Sequence, residues 1–143
     1  MLIRQATLQD ASHVISLVQE LARAEGEESP ITPADVRFYL DQPGSVILLA
    51  EEQGQILGML SYSTRHDLYH AAKTGLIEVL VVREGVRGKG IGSALIEETI
   101  HRGRQEGWAE VSVSTIPDNQ QAISFYRSHG LEDEAILLEM HIT

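Results

Sequence analysis

One stretch limits the possible folds more than any other. Val79-Leu80-Val81-Val82 is an apolar, β-branched run. It leads through Arg83-Glu84-Gly85-Val86-Arg87-Gly88-Lys89-Gly90 straight into Ile91-Gly92-Ser93-Ala94-Leu95, which carries a helical pattern. Strand, glycine loop and helix in unbroken succession predict a βα unit. Glycines let a backbone come close to a ligand, and amides at a helix start carry partial positive charge. Arg87 and Lys89 add cations. The combination reads as a phosphate or pyrophosphate cradle, against the plainer alternative that the glycines only make turns.

Other phosphate loops fit less well. A P-loop needs Gly, four residues, then Gly-Lys-Ser/Thr, whereas Gly90 is followed by Ile91-Gly92. A dinucleotide fingerprint needs G-x-G-x-x-G, but Gly88, Gly90 and Gly92 are spaced G-x-G-x-G. That fingerprint also opens a first βα unit, and this loop comes late. A nucleotide-dependent oxidoreductase is therefore disfavoured. So is a hydrolase, because no G-x-S-x-G elbow is present.

The 143 residues suit a single domain, 1–143, with a packed core. With 11 Lys and Arg against 21 Asp and Glu, the formal net charge is −10. Such a surface repels phosphate backbones, so no nucleic-acid partner is expected. The absence of cysteine excludes disulfides, Cys-ligated metals and thiol nucleophiles. Met1-Leu2-Ile3-Arg4-Gln5 starts no apolar run of signal-peptide length. Runs such as Val46–Ala50 are strand-sized, not membrane-sized. The expectation is a cytoplasmic protein with no membrane partner.

The rest of the chain reads as alternating elements. Leu2–Ala6 forms a short strand, and Thr7 or Asp10 caps a helix with Val14, Ile15, Val18, Leu21 and Ala22 on one face. Thr32-Pro33 starts a second helix reaching about Leu40. Val46–Ala50 and Gln55–Thr64 are strands joined at Gln53-Gly54, and Ile77–Val82 is a third. A helix over Gly90–Gln105, a strand over Trp108–Thr115 and a helix from Asp118 or Asn119 to His129 follow. Leu131–Ile142 supplies a closing strand or hairpin. The fold class is α/β (α+β): a mixed, mostly antiparallel central sheet with a βαβ core flanked by helices. The crossover makes Ile77–Val82 and Trp108–Thr115 parallel.

Two motifs together carry a family resemblance. Arg87-Gly88-Lys89-Gly90-Ile91-Gly92 resembles the R/Q-x-x-G-x-G/A acetyl-CoA motif of the GNAT superfamily of N-acetyltransferases. Asn119, Ala122, Phe125-Tyr126 and Gly130-Leu131 resemble that family's N-x-x-A-x-x-F-Y-x-x-x-G-F/L. The element order is similar from end to end. Where the family often has Pro-Glu-Tyr before the Arg, this chain has Glu84-Gly85-Val86, which loosens the start of the loop and leaves the cradle intact.

The resemblance implies an acetyl-CoA cosubstrate and an N-acetyltransferase, an acyltransferase moving acetyl to a primary amine of a small molecule or peptide. It implies that Leu80, Val81 and Val82 pair with the pantetheine arm. It places the pyrophosphate over the amides of Arg87, Gly88, Lys89, Gly90, Ile91 and Gly92. Asn119 and Tyr126 lie seven positions apart, about two helical turns, so they share a face. In the family such an Asn contacts the cofactor arm and such a Tyr stands near the sulfur, making Tyr126 the candidate general acid. The alternative for Tyr126 is a core aromatic with a satisfied hydroxyl.

Glu78, a charge inside Leu76-Ile77-Glu78-Val79-Leu80, is the candidate general base, with acceptor orientation or a structural role as the alternative. Regular alternation sets its side chain opposite those of Ile77 and Val79. His66 and His70 are four apart but lack an H-E-x-x-H frame or a third ligand, so no metal is expected and the segment reads as a loop beside the acceptor pocket. Absence of a thiol or a serine elbow favours direct attack in a ternary complex over an acetyl-enzyme. A homodimer is an assembly the resemblance allows. A non-catalytic acyl-CoA-binding or sensing module is the competing function; it would need the glycine loop but neither Glu78 nor Tyr126.

Overall fold

The computed structural model describes residues 1–143. Its strands are β1 (Leu2–Gln5), β2 (Ser45–Glu52), β3 (Gln55–Asp67), β4 (Ala72–Val82) and β5 (Glu110–Val113). Its helices are α1 (Ala11–Ala24), α2 (Pro33–Asp41), α3 (Ile91–Glu106) and α4 (Gln120–Ser128). The strands form one sheet in the order β1-β2-β3-β4-β5. The first three pairings are antiparallel and β4–β5 is parallel, as the crossover requires.

Each face of the sheet has its own core. On one face Ile47, Leu49, Met59 and Val81 pack with Val14 and Leu17 of α1 and Val36 of α2. On the other, Leu48, Leu60, Tyr62 and Ile77 pack with Ile91, Leu95 and Ile96 of α3. Successive residues of β2 go to opposite faces, the period-two alternation of a central strand. Both faces are covered, which explains why Val46–Ala50 reads as one continuous apolar run.

Local chemistry fixes the element ends. Before α1, Asp10 accepts a hydrogen bond from the Thr7 amide at 2.8 Å and a bidentate pair from Arg4, both contacts 2.9 Å. Asp35 accepts from the Thr32 amide at 2.8 Å and so caps α2, with Pro33 at its first position. Gly107 ends α3 with φ +74°.

The Trp108 ring packs against β4, α3 and β3. An added Cβ at Gly75 of β4 would lie 2.2 Å from its ring, and one at Gly103 of α3 would lie 2.6 Å from it. Tyr62 meets the indole edge-on at 5.1 Å between centroids. The two glycines are therefore small for packing reasons.

Two expectations need correction. β3 and β4 are longer than the sequence pattern suggested and meet in a hairpin, so β4 begins at Ala72 and not at Ile77. Polar residues Arg65, His66 and Lys73 still pair across it, because a two-strand ladder holds its backbone without needing an apolar face. The expected closing strand over Leu131–Ile142 is absent: residues 131–143 contain no regular element. No helix is long and apolar enough to cross a membrane.

Candidate active site

The site starts where two strands part. β5 pairs with β4 only from Thr74↔Glu110 to Ile77↔Val113. Beyond Ile77, β4 runs on through Glu78, Val79, Leu80, Val81 and Val82 with β3 on one side and no strand on the other. An extended ligand with amide groups would find unpaired backbone there. Leu80, Val81 and Val82, the residues expected to hold such an arm, lie on this open stretch.

At the parting point the β3–β4 ladder slips. Ser61 pairs with Val79 and Tyr62 with Ile77, leaving Glu78 as the extra residue of a bulge. Ile77 and Leu80 face α3, whereas Val79 and Val81 face α1 and α2. Glu78 therefore points to the same side as Val79, not opposite it as plain alternation predicts. Its carboxylate is exposed, and the Tyr39 hydroxyl of α2 donates to its Oε1 at 2.7 Å. The same hydroxyl lies 3.1 Å from the Tyr62 carbonyl, so α2 grips the bulge at two points. Burial and the neighbouring Glu78 carboxylate push the Tyr39 phenol above its ordinary pKa, which keeps it a donor. Sequence reading missed Tyr39, because Phe38-Tyr39-Leu40 reads as an ordinary helix face.

The glycine loop follows directly. Gly85, Gly88 and Gly90 have φ of +92°, +80° and +81°, and a Cβ at any of them would meet nothing within 4 Å. The loop is thus open toward solvent in a conformation that side chains resist, and Gly90 caps the N-terminus of α3. Gly92 has a different job: its Cβ position is 3.3 Å from the Phe125 ring, so it admits α4 against α3. Arg87 folds back, its Nε donating to the Val82 carbonyl at 3.1 Å. Lys89 is exposed and makes no hydrogen bond or ion pair within the chain. Glu20 of α1, also missed, holds the start of the loop by accepting from the Glu84 amide at 2.6 Å and from Arg83 Nη1 at 3.4 Å.

α4 closes the other side. Asn119 is its N-cap, and its Oδ1 accepts from the Ala122 amide at 3.1 Å, which leaves the side-chain NH2 for a ligand. Phe125 and Tyr126 pack against the core that holds Leu80 and Val82. Tyr126 is partly buried and its hydroxyl has no partner within the chain. Burial raises its pKa, so the phenol stays protonated through neutral pH. Glu78 and Tyr126 thus belong to opposite faces of the sheet.

His66 and His70 do not converge on a ligand site. His66 lies in β3, while His70 sits in the β3–β4 hairpin with its Nδ1 against Asp67, which raises its pKa and lowers that of Asp67. The His70–Asp67 contact is a clasp for the hairpin.

Comparison with known proteins identifies the family. Residues 14–131 match the acetyltransferase (GNAT) family. The chain belongs to that family. An aminoalkylphosphonate N-acetyltransferase of Salmonella typhimurium is 32% identical over 128 residues, covering 90% of this chain and 82% of the relative. The N-alpha-acetyltransferase 30 of Dictyostelium discoideum is 32% identical over 117 residues, covering 80% of this chain and 62% of the relative. Among solved structures, an aminoglycoside acetyltransferase from an uncultured soil metagenomic sample superposes with a TM-score of 0.85 at 22% identity, covering 99% of this chain and 95% of its own. This member of the GNAT family is an acyltransferase enzyme with the family's mixed sheet.

Proposed function

We propose that the protein transfers an acetyl group from acetyl-CoA to a primary amine of a small molecule or peptide, by direct attack within a ternary complex. The observation that carries this reading is the unpaired reach of β4 from Glu78 to Val82, ending in an open glycine loop at the start of α3. The fit is chemical. Free backbone groups suit the amides of a pantetheine arm, and three positive-φ glycines beside Lys89 suit a pyrophosphate. Acetyl-CoA supplies the activated thioester.

The chain's own groups divide the remaining work. Glu78, fixed by Tyr39, accepts the proton that the amine sheds as its nitrogen attacks the acyl carbon. The amine reaches it from the α1–α2 side, since that is the side on which Glu78 projects. Tyr126 stays protonated and donates to the sulfur as the C–S bond breaks, from the α4 side. Asn119 offers its amide NH2 to the arm, and the sequence Arg87 to Gly92 holds the phosphates. The relatives point to amine acceptors of both small and peptide type, and the charge of −10 favours a cationic one over a nucleic acid. A cytoplasmic setting with no membrane partner is part of this proposal.

The decisive experiment is an acetyl-CoA turnover screen across polyamines, aminoalkylphosphonates, aminoglycosides and peptide N-termini, reading released thiol. The absence of cysteine leaves no protein thiol in the background. Turnover with at least one amine, dependent on Glu78, is expected. Acetyl-CoA binding without turnover across the panel, with Glu78→Gln and Tyr126→Phe binding equally well, would return the sensing module to the front.

A further inference from the structure

α4 carries Tyr126 and is capped by Asn119, yet little holds it in place. None of its residues is buried. Phe125 and Tyr126 lean on the core beside Leu80 and Val82. The other polar contacts of its side chains run between Pro117 and Glu134, beside the helix itself. One hydrogen bond joins it to another element: Ser93 Oγ and His129 Nε2 lie 3.0 Å apart. Either neutral tautomer of the imidazole makes this bond, since a hydroxyl can donate or accept.

Both partners border the site. Ser93 is the third residue of α3, in the turn that Gly90 caps. Gly92, next to it, has the Phe125 ring 3.3 Å from where its Cβ would be. His129 closes the C-terminal end of α4, one turn beyond Tyr126. Its ring meets that of Phe125 edge-on at 4.9 Å between centroids, and Phe125 meets Tyr126 edge-on at 5.5 Å. An unbroken run of contacts therefore leads from the first turn of α3 through His129 and Phe125 to the Tyr126 ring.

We propose that His129 is a positioning residue for the transfer. Held by Ser93, it ties the end of α4 to the first turn of α3 and so sets the Tyr126 phenol relative to the glycine loop. The inference rests on the reading of Tyr126 as the proton donor to the sulfur. A proton moves between atoms about 2.6–3.2 Å apart, so a drift of α4 by about 1 Å takes the phenol out of reach. A neutral hydrogen bond shifts the balance between two arrangements of a helix by up to about tenfold, which sets the size of the expected effect.

Steady-state kinetics on the full chain, with an amine taken from the turnover screen, test this. His129→Leu keeps bulk against Phe125 and removes the hydrogen bond. It should lower kcat by about tenfold and leave calorimetric acetyl-CoA affinity within about twofold. Ser93→Ala should show the same split, and adding it to His129→Leu should cost no more. His129→Gln, whose amide reaches the place of Nε2, should recover most of the loss. In a Tyr126→Phe background His129→Leu should be nearly silent. A full multiplicative loss in that background would overturn the inference. So would a Ser93→Ala protein that loses affinity and keeps kcat, because the hydroxyl would then serve the phosphates. A Tyr126→Phe protein with wild-type kcat would instead sink the assignment of the acid. The tie itself is read separately by hydrogen exchange. The α4 amides should exchange faster in His129→Leu and in Ser93→Ala alike, and unchanged exchange in both would overturn the inference whatever Tyr126 does.

Discussion

Tyr39 Oη stands 2.7 Å from Glu78 Oε1, so a helix from the first third of the chain sets the rotamer of the candidate base. The contact joins α2 to the one residue that the β3–β4 ladder leaves unpaired. Removing the hydroxyl frees the carboxylate without removing it. Tyr39→Phe should lower kcat by about tenfold, with the KM for acetyl-CoA unchanged. In a Glu78→Gln background the same change should cost almost nothing, because the two side chains act as one unit. Additive losses in that double-mutant cycle would show that Tyr39 acts elsewhere.

Glu78→Gln and Tyr126→Phe should separate kinetically. Loss of the base should slow turnover most at low pH, where free amine is scarce. Loss of the acid should lower kcat at all pH values, by about 10²-fold, the lower end of the range for a general acid, because a thiolate is already a fair leaving group. Acetyl-CoA affinity should barely change in either. A pH–rate profile for each variant with one good acceptor decides it, and two wild-type profiles would make both residues packing groups.

Gly90 and Gly107 cap opposite ends of α3 at φ +81° and +74°, and a Cβ at either meets nothing within 4 Å. Valine at either position imposes the same kind of backbone strain, on the order of 1–3 kcal/mol. Only Gly90 lies in the proposed phosphate cradle. Gly90→Val should weaken acetyl-CoA binding by calorimetry at least tenfold beyond any change seen with Gly107→Val. Equal effects would mean that the loop does not hold the phosphates.

Trp108 is the single tryptophan, wedged between Gly75 and Gly103. Gly103→Ala places a methyl against the indole and should cost roughly 1–3 kcal/mol in denaturant unfolding by overpacking. Its fluorescence should shift to the red as the ring is displaced toward water. A wild-type spectrum and midpoint would show that α3 yields instead.

Arg4 holds the Asp10 carboxyl down, from the ordinary 3.8 to about 2, mainly through their hydrogen bonds. A depressed carboxyl contributes stability that is fully present above pH 3.8 and is lost as pH falls through about 2. The contribution is on the order of 2 kcal/mol. Asp10→Asn should lower stability at neutral pH by a comparable amount and flatten the acid limb of a stability–pH curve in that window. An unchanged acid limb would assign acid unfolding to other carboxylates.

Some of this was legible in the sequence for a clear reason. The glycine loop, the crossover and the α4 signature are local, and spacing alone exposes local chemistry. The bulge was not legible, because two residues facing one on a neighbouring strand leave no mark on Leu76-Ile77-Glu78-Val79. Tyr39 and Glu20 were missed for a related reason: each serves a partner more than 30 positions away, and each sits on a helix whose amphipathic pattern is complete without it. The segment Ala135–Ile142 does have a strand's alternation. In the structure those residues form no regular element, and their apolar side chains stay exposed.

The bulge has a consequence for how such a site can arise. Ser61 already pairs with Val79 and Tyr62 with Ile77, so every neighbour of Glu78 is matched without it. Deleting Glu78 would let the ladder close into plain alternation, with Ile77, Leu80 and Val82 still toward α3 and Val79 and Val81 still toward α1 and α2. The candidate base is thus a one-residue insertion into a strand that is complete in its absence. On the proposed role of Glu78, scaffold and chemistry can be gained or lost separately, and a chain lacking that residue would keep the fold and bind acetyl-CoA without transferring its acetyl group.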